Sequence, residues 1–254
     1  MTLLPDYSAL SHAGTPDLLT AVVGGTKVAV AERRKLIPDG QLEREAAART
    51  PRAEEFRAAL ARSEGFNVIA ECKRRSPVRG ILQKDYDPAA LARVYARAGA
   101  AAISVLTEPS FFDGSVEHLK SVRDAVDLPI LRKEFVVTEY QLIEARAAGA
   151  DAALLIVAAL EDNMLASLLA SVEALGLAAF VEVHDEVELE RAVGAGAGII
   201  GVNNRNLRTL EVSLETTARL IERMPGDVIA IAESGLRTHR DLVRLRDAGY
   251  HGFL

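Results

Sequence analysis

From Val68 onward the chain alternates between two hydrophobic patterns. Short β-rich runs, VIAECK (68–73), AAISVLT (101–107), PILRKEF (129–135), DAALLI (151–156), AAFVEV (178–183), GIIGVN (198–203), VIAIAES (228–234) and HGFL (251–254), are each near-continuously apolar, as strands buried on both faces require. Between them lie Ala/Leu/Arg-rich stretches with helical periodicity, such as PAALARVYARAG (88–99) and EYQLIEARAAG (139–149). Gly99, Gly149, Gly176 and Gly249 stand where those helices should end. Eight strands alternating with seven helices form a βα repeat. The first βα turn, KRRSPVRG, holds no GxGxxG, so the pattern predicts a (β/α)8 TIM barrel, an α/β fold, over a doubly wound sheet. Residues 1–66 read as an N-terminal helical extension packed on the barrel (TPDLLTAVVGG, QLEREAAAR, AEEFRAALAR), broken at Gly24-Gly25 and at Pro38-Asp39-Gly40. The chain is expected to be one domain, 1–66 extension and 67–254 barrel.

Barrel chemistry sits at the C-terminal ends of strands, so the informative residues are those that end each apolar run. Strand 1 ends in Glu71 and Lys73, which share a face by the period-two alternation while Cys72 points away from it toward the helices. Strand 3 carries Lys133 with Phe135 on the same face, strand 5 reaches Glu182 and His184, strand 6 ends at Asn203-Asn204-Arg205, and strand 7 at Glu233-Ser234-Gly235. Five strands thus deliver ionisable or amide groups at equivalent positions. A set of structural ion pairs is the bland explanation, but buried ion pairs stabilise weakly, so a shared site is the better one. His184 reads either as an acid/base or as a structural strand-end histidine, and Arg74 and Arg75 as solvated loop charges. Lysines crowded together would lose protons more easily while carboxylates oppose this, the tuning that lets Lys and Glu serve as acid and base. The Ser234-Gly235 turn offers backbone N–H groups to an anion, where barrels often hold phosphate.

The 254 residues are 49% hydrophobic and 26% charged, enough for a core without staples. A net charge of −6 argues against a nucleic-acid partner, and no run is long and apolar enough for a membrane partner. One cysteine fits a reducing compartment, and Met1–Leu10 lacks the pattern of a signal peptide, so a cytoplasmic protein is expected. No His/Cys cluster has metal-ligand spacing, so no metal is expected.

The strings AECKRRSP, SVLTEPSFFDGS, PILRKEF, GADAALLI, VEVH, GVNNRNL and AESG, in this order, closely resemble the indole-3-glycerol phosphate synthase family. The resemblance implies a cofactor-free carboxy-lyase of tryptophan biosynthesis. It would act on a small phosphorylated substrate, 1-(2-carboxyphenylamino)-1-deoxyribulose 5-phosphate, and is expected to be a monomer. On it, Lys133 matches the general acid, Glu182 the carboxylate assisting it, and Glu71 and Lys73 the pair serving ring closure and dehydration. Asn203 and Glu233 match groups that hold substrate and intermediates. Pro77, Phe112, Phe135, Leu154 and Leu207 fall where the family builds an apolar slot for the anthranilate ring, and Ser76, Arg205, Ser234 and Gly235 where it contacts polar parts or phosphate. The resemblance also implies a further glycine loop and last helix after Leu254. On that reading the chain is truncated after strand 8, with weakened phosphate binding and stability expected. A phosphoribosylanthranilate isomerase-like barrel and a non-catalytic scaffold are the rival readings. The first would need a cysteine and an aspartate as its acid/base pair, and the second would have no use for the Lys/Glu set.

Overall fold

The structure, a computed structural model, describes residues 17–254; the beginning of the first expected helix and the Met1–Leu10 segment lie outside them. Eight parallel strands close into a barrel: β1 (Asn67–Cys72), β2 (Ala102–Leu106), β3 (Ile130–Lys133), β4 (Ala152–Ile156), β5 (Ala178–Val183), β6 (Ile199–Asn203), β7 (Ile229–Glu233) and β8 (Gly252–Phe253). Every expected strand is present; β5 spans its whole apolar run, β1 is shifted back by one residue, and the others are slightly shorter. The last is the shortest, because only Gly252 and Phe253 find partners, in β7 and β1. Three helices precede the barrel: α1 (Leu18–Leu36), α2 (Asp39–Ala47) and α3 (Ala53–Leu60). Seven longer ones alternate with its strands: α4 (Pro88–Arg97), α5 (Val116–Ala125), α6 (Glu139–Ala148), α7 (Asp162–Ala174), α8 (Glu186–Gly194), α9 (Glu215–Leu220) and α10 (His239–Asp247), with a single helical turn, Pro109–Phe112, ahead of α5. No helix of the described residues is long and apolar enough to cross a membrane.

The alternation of side chains divides the core in two. Outward residues such as Cys72, Ile103, Val105, Leu155, Val181 and Val202 pack against the helices in one cluster. Inward residues, among them Ile69, Leu131, Leu154, Phe180, Ile199 and Ile231, fill the barrel together with Phe56 and Leu60 of α3. Helix α3 therefore plugs the N-terminal end of the barrel. Asn67 fastens it there: its side-chain amide reaches the carbonyls of Leu60 (2.8 Å), Arg62 (3.0 Å) and His251 (2.8 Å), joining α3, β1 and the approach to β8. The four glycines expected at helix ends all take positive φ, 87° at Gly99, 92° at Gly149, 69° at Gly176 and 114° at Gly249.

One expectation about helices needs correction. Gly24-Gly25 does not break α1, which runs unbroken through both. Each glycine costs roughly 1 kcal/mol of helix propensity, but the helix buries Leu18, Leu19, Val22, Thr26 and Val30 on one face, and packing outweighs propensity. The loop after β1 is also more ordered than a plain turn: Arg75–Ser76 and Gly80–Ile81 pair antiparallel as a small ladder.

At its other end α1 is tied to the barrel by charge. Arg33 makes a bidentate contact with Glu144 of α6 (2.7 and 3.1 Å), and Glu144 in turn accepts from the wholly buried Arg132 of β3 at 2.6 Å. Arg132 also donates to the Gln141 carbonyl at 2.7 Å and to the Thr107 hydroxyl at 3.1 Å.

Candidate active site

Register aligns the strand ends around the mouth. Glu71 pairs across from Ser104, Leu106 from Lys133, Ile156 from Glu182, and Asn203 from Glu233. Above them opens a cavity of about 440 Å³. Of the residues expected from sequence, Glu71, Lys73, Ser76, Pro77, Phe112, Lys133, Phe135, Leu154, Glu182, Asn203, Arg205, Leu207, Ser234 and Gly235 all line it. Glu233 does not. Its side chain is 0% exposed and lies beneath Lys133, whose Nζ approaches its Oε2 at 2.6 Å. Room for that carboxylate exists because the neighbouring strand has Gly201: a Cβ there would stand 2.1 Å from Glu233 Oε1 and 2.5 Å from the Phe180 ring.

Lys133 is the hub. Besides Glu233 it contacts Glu182 Oε2 at 3.4 Å, and Glu182 Oε1 accepts from the Asn203 amide at 3.0 Å. Burial opposes a charge on Lys133, but Glu233, Glu182 and Glu71 outweigh it and hold the ammonium well above the usual lysine range. The expectation of a softened lysine is thus reversed here, because the carboxylates are closer than any second cation. The two carboxylates part company. Glu182, although buried, is held far below the usual carboxylate range by Lys133, His184 and Asn203. Glu233 is pushed up to about 7 by burial, with the Glu182 charge adding to the rise and Lys133 opposing it. Glu71 and Lys73 form an ion pair with each other at the cavity wall. Cys72 faces away from the cavity, fully buried, and desolvation raises its thiol to about 12, so it is inert.

Around this floor the walls are apolar on one side. The Phe112 and Phe135 rings lie 6.4 Å apart, inclined by 31°, near Leu154, Leu207 and Leu210, and the first turns of α1 add Leu18, Leu19 and Val22. Sequence reasoning missed the α1 contribution, though residues 18, 19 and 22 fall on one helical face and could have been asked what they cover. It also missed Arg79 and Arg237, which line the same cavity. Asn204 was noted only in passing, yet it braces the β6 and β7 loops: its amide donates to the carbonyls of Glu233 (3.0 Å) and Ser234 (3.1 Å), and its oxygen accepts from Thr217 N–H (3.1 Å).

Two expectations at the rim change. The Ser234 N–H is not free for an anion, since it donates to the Leu254 carbonyl at 3.1 Å; Ser234 instead takes a left-handed φ of 64°, followed by Gly235 at 80°. Arg74 is no solvated charge, because it pairs with Asp113 of the β2–α5 loop. Among the described residues no group of three His, Cys, Asp or Glu side chains is placed to hold a metal ion.

A profile of the indole-3-glycerol phosphate synthase family matches residues 19–254. The chain belongs to this family. An indole-3-glycerol phosphate synthase of Parafrankia sp. is 58% identical over 191 residues, 75% of this chain and 71% of its own length. One of Streptomyces griseus is 50% identical over 232 residues, covering 91% of this chain and 86% of the relative. Among solved structures, an N-acetylmannosamine-6-phosphate 2-epimerase from Clostridium perfringens superposes with a TM-score of 0.56 at 16% identity, over 74% of this chain and 84% of its own, which shows the shared barrel fold alone. An indole-3-glycerol phosphate synthase is a carboxy-lyase.

Proposed function

We propose that this cavity forms indole-3-glycerol phosphate from 1-(2-carboxyphenylamino)-1-deoxyribulose 5-phosphate, with Lys133 as the proton donor to the ketone oxygen. The observation that carries this reading is the buried Lys133 ammonium, aimed into the cavity and held by two carboxylates from two other strands. The reaction balances as follows. The aromatic carbon bearing the carboxylate attacks the ketone carbon while Lys133 protonates the nascent alkoxide. The carbon–carboxylate bond then breaks, its electrons return to the ring and CO2 departs. Finally the new hydroxyl leaves as water with a second proton, and a C–H proton is lost to a base, giving the indole; one proton from solution is consumed overall. A raised lysine pKa is no obstacle, because the alkoxide formed is more basic than the amine left behind.

Glu182 assists Lys133 by holding it in place and in charge, and the Glu71–Lys73 pair serves ring closure and dehydration. Asn203 and Glu233 support substrate and Lys133 from below. The Phe112–Phe135 wall with Pro77, Leu154 and Leu207 suits a flat aromatic ring. Ser76, Arg205, Ser234 and Gly235 suit the phosphorylated end, with one N–H fewer at Ser234 than the turn alone suggested. Holding both ends of the substrate fixes the attacking carbon against the ketone, which is where much of the rate arises.

Replacing Lys133 by Ala should cut turnover by at least about 10²-fold with the fold intact, measured by the fluorescence of the indole product and by circular dichroism. Turnover near that of the parent protein would overturn the assignment.

A further inference from the structure

Immediately after β5 the chain reads His184-Asp185-Glu186-Val187-Glu188, and the local geometry turns His184 toward Glu182 from behind the cavity wall. Its Nε2 lies 3.2 Å from Glu182 Oε1, and its Nδ1 lies 2.9 Å from Glu188 Oε2. Nδ1 is hydrogen-bonded to Glu188, whereas Nε2 faces Glu182 at ion-pair distance without hydrogen-bond geometry; a carboxylate on either side of the ring favours the charged, doubly protonated imidazole. Glu188 is not free to move away. It sits in the first turn of α8, where Asp185 caps the helix by accepting from Glu188 N–H at 2.9 Å, and its own Oε2 also accepts the His184 backbone N–H at 2.8 Å. His184 does not line the cavity, so it touches no substrate.

We infer that the Glu188–His184 pair is a positioning device for Glu182, fixing both its orientation and its charge at the cavity floor. Glu182 then has a hydrogen-bond donor on each oxygen, Asn203 on Oε1 and Lys133 on Oε2, with the His184 ring at ion-pair distance from Oε1. The charged groups that act on it are Lys133 from β3, Glu233 from β7, Glu71 from β1 through Lys133, and His184 at the end of its own strand, itself backed by Glu188 from α8. Two cations against this cluster decide which of the two buried carboxylates stays ionised. With His184 present Glu182 keeps its charge and Glu233 is the member that can take a proton. Without it the asymmetry weakens: Glu182 loses one of the two cations that hold it ionised, and Glu233 loses a charge that favours its carboxylate. The sequence spacing expresses the device compactly: a histidine two residues beyond the strand-end glutamate, and a second glutamate one helical turn on.

This inference rests on the role proposed for the Lys133–Glu182 floor. The test uses His184→Asn and Glu188→Gln in the full chain, with kcat and KM followed from about pH 5 to about pH 9 by product fluorescence. His184→Asn should lower kcat by about tenfold while KM changes by less than about twofold, since the group acts on the reacting end and not on binding. The acidic limb of the kcat profile should move up by about one unit, because removing the His184 cation also raises Glu233, the carboxyl already pushed up to about 7. Glu188→Gln should move the limb in the same direction by less. If His184→Asn does not fold, Glu188→Gln decides the matter alone. An acidic limb unmoved in the folded variants overturns the inference, even if their thermal stability falls, because a structural histidine would affect melting only. Retained turnover in Lys133→Ala would instead sink the site assignment, so the two failures are distinguishable.

Discussion

At the scale of single residues, His184 also makes a stability prediction. Burial by itself would push its pKa down, but the hydrogen bonds and charges of Glu182 and Glu188 raise it from 6.5 to about 10. A group whose folded pKa is raised contributes stability that is fully present below its unfolded pKa and is lost as pH climbs through the folded one. The parent protein should therefore lose stability relative to His184→Asn between about pH 6.5 and about pH 10, measured as the difference between their denaturant midpoints across that range. A constant difference would contradict the charged imidazole. The residue scale is also where the sequence was most readable. Period-two parity placed Glu71 and Lys73 at the cavity and Cys72 against the helices, because a strand leaves a side chain only two directions. The depth of Glu233 was not readable. It depends on the missing side chain at Gly201, on another strand brought alongside by the register of β6 and β7, and no local pattern encodes that.

At the scale of elements, α1 is the piece that sequence described least well. Helix propensity at Gly24-Gly25 suggested a break, whereas its buried face and its Arg33–Glu144 contact are long-range. The βα elements were legible because each carries its own periodicity, and four of the helices end at a glycine. The small ladder after β1 was not, being two residues on each side with no alternation to detect. The α1 latch predicts an asymmetry. Arg33→Ala removes a partly exposed partner and leaves Glu144 with Arg132, so it should cost about 1 kcal/mol. Glu144→Ala leaves the fully buried Arg132 with only Glu134 as a counter-charge, at 3.5 Å, and should cost about 3 kcal/mol. Urea unfolding of the two variants checks this, and equal losses would mean that Glu134 alone balances Arg132. Hydrogen exchange in α1 should quicken in Arg33→Ala, since the helix keeps its apolar turns at the cavity but loses its far tether.

At the scale of the whole molecule, the barrel closes at one seam, where its first and eighth strands meet. β1 and β8 share the pairs Asn67↔Gly252 and Val68↔Phe253, as short a register as β7–β8 and β3–β4, and the Asn67 side chain carries much of the rest of the join. Asn67→Ala should cost about 2–3 kcal/mol, because it leaves buried carbonyls unsatisfied. Its melting temperature should fall while kcat at low temperature stays near the parent value, and unchanged melting would show that water replaces the amide. The seam has a consequence in time as well. Asn67 and the His251 carbonyl are 184 positions apart, whereas each other strand meets a neighbour supplied by the adjacent βα unit. Units one after another can pair as they emerge during synthesis, but closure must wait for the residues around Gly252. Until then the inner faces of β1 and β7 are edges open to solvent and to other chains. The growing polypeptide thus passes through a long-lived curved, unclosed sheet, and its yield in the cell should depend on how quickly that last short strand arrives.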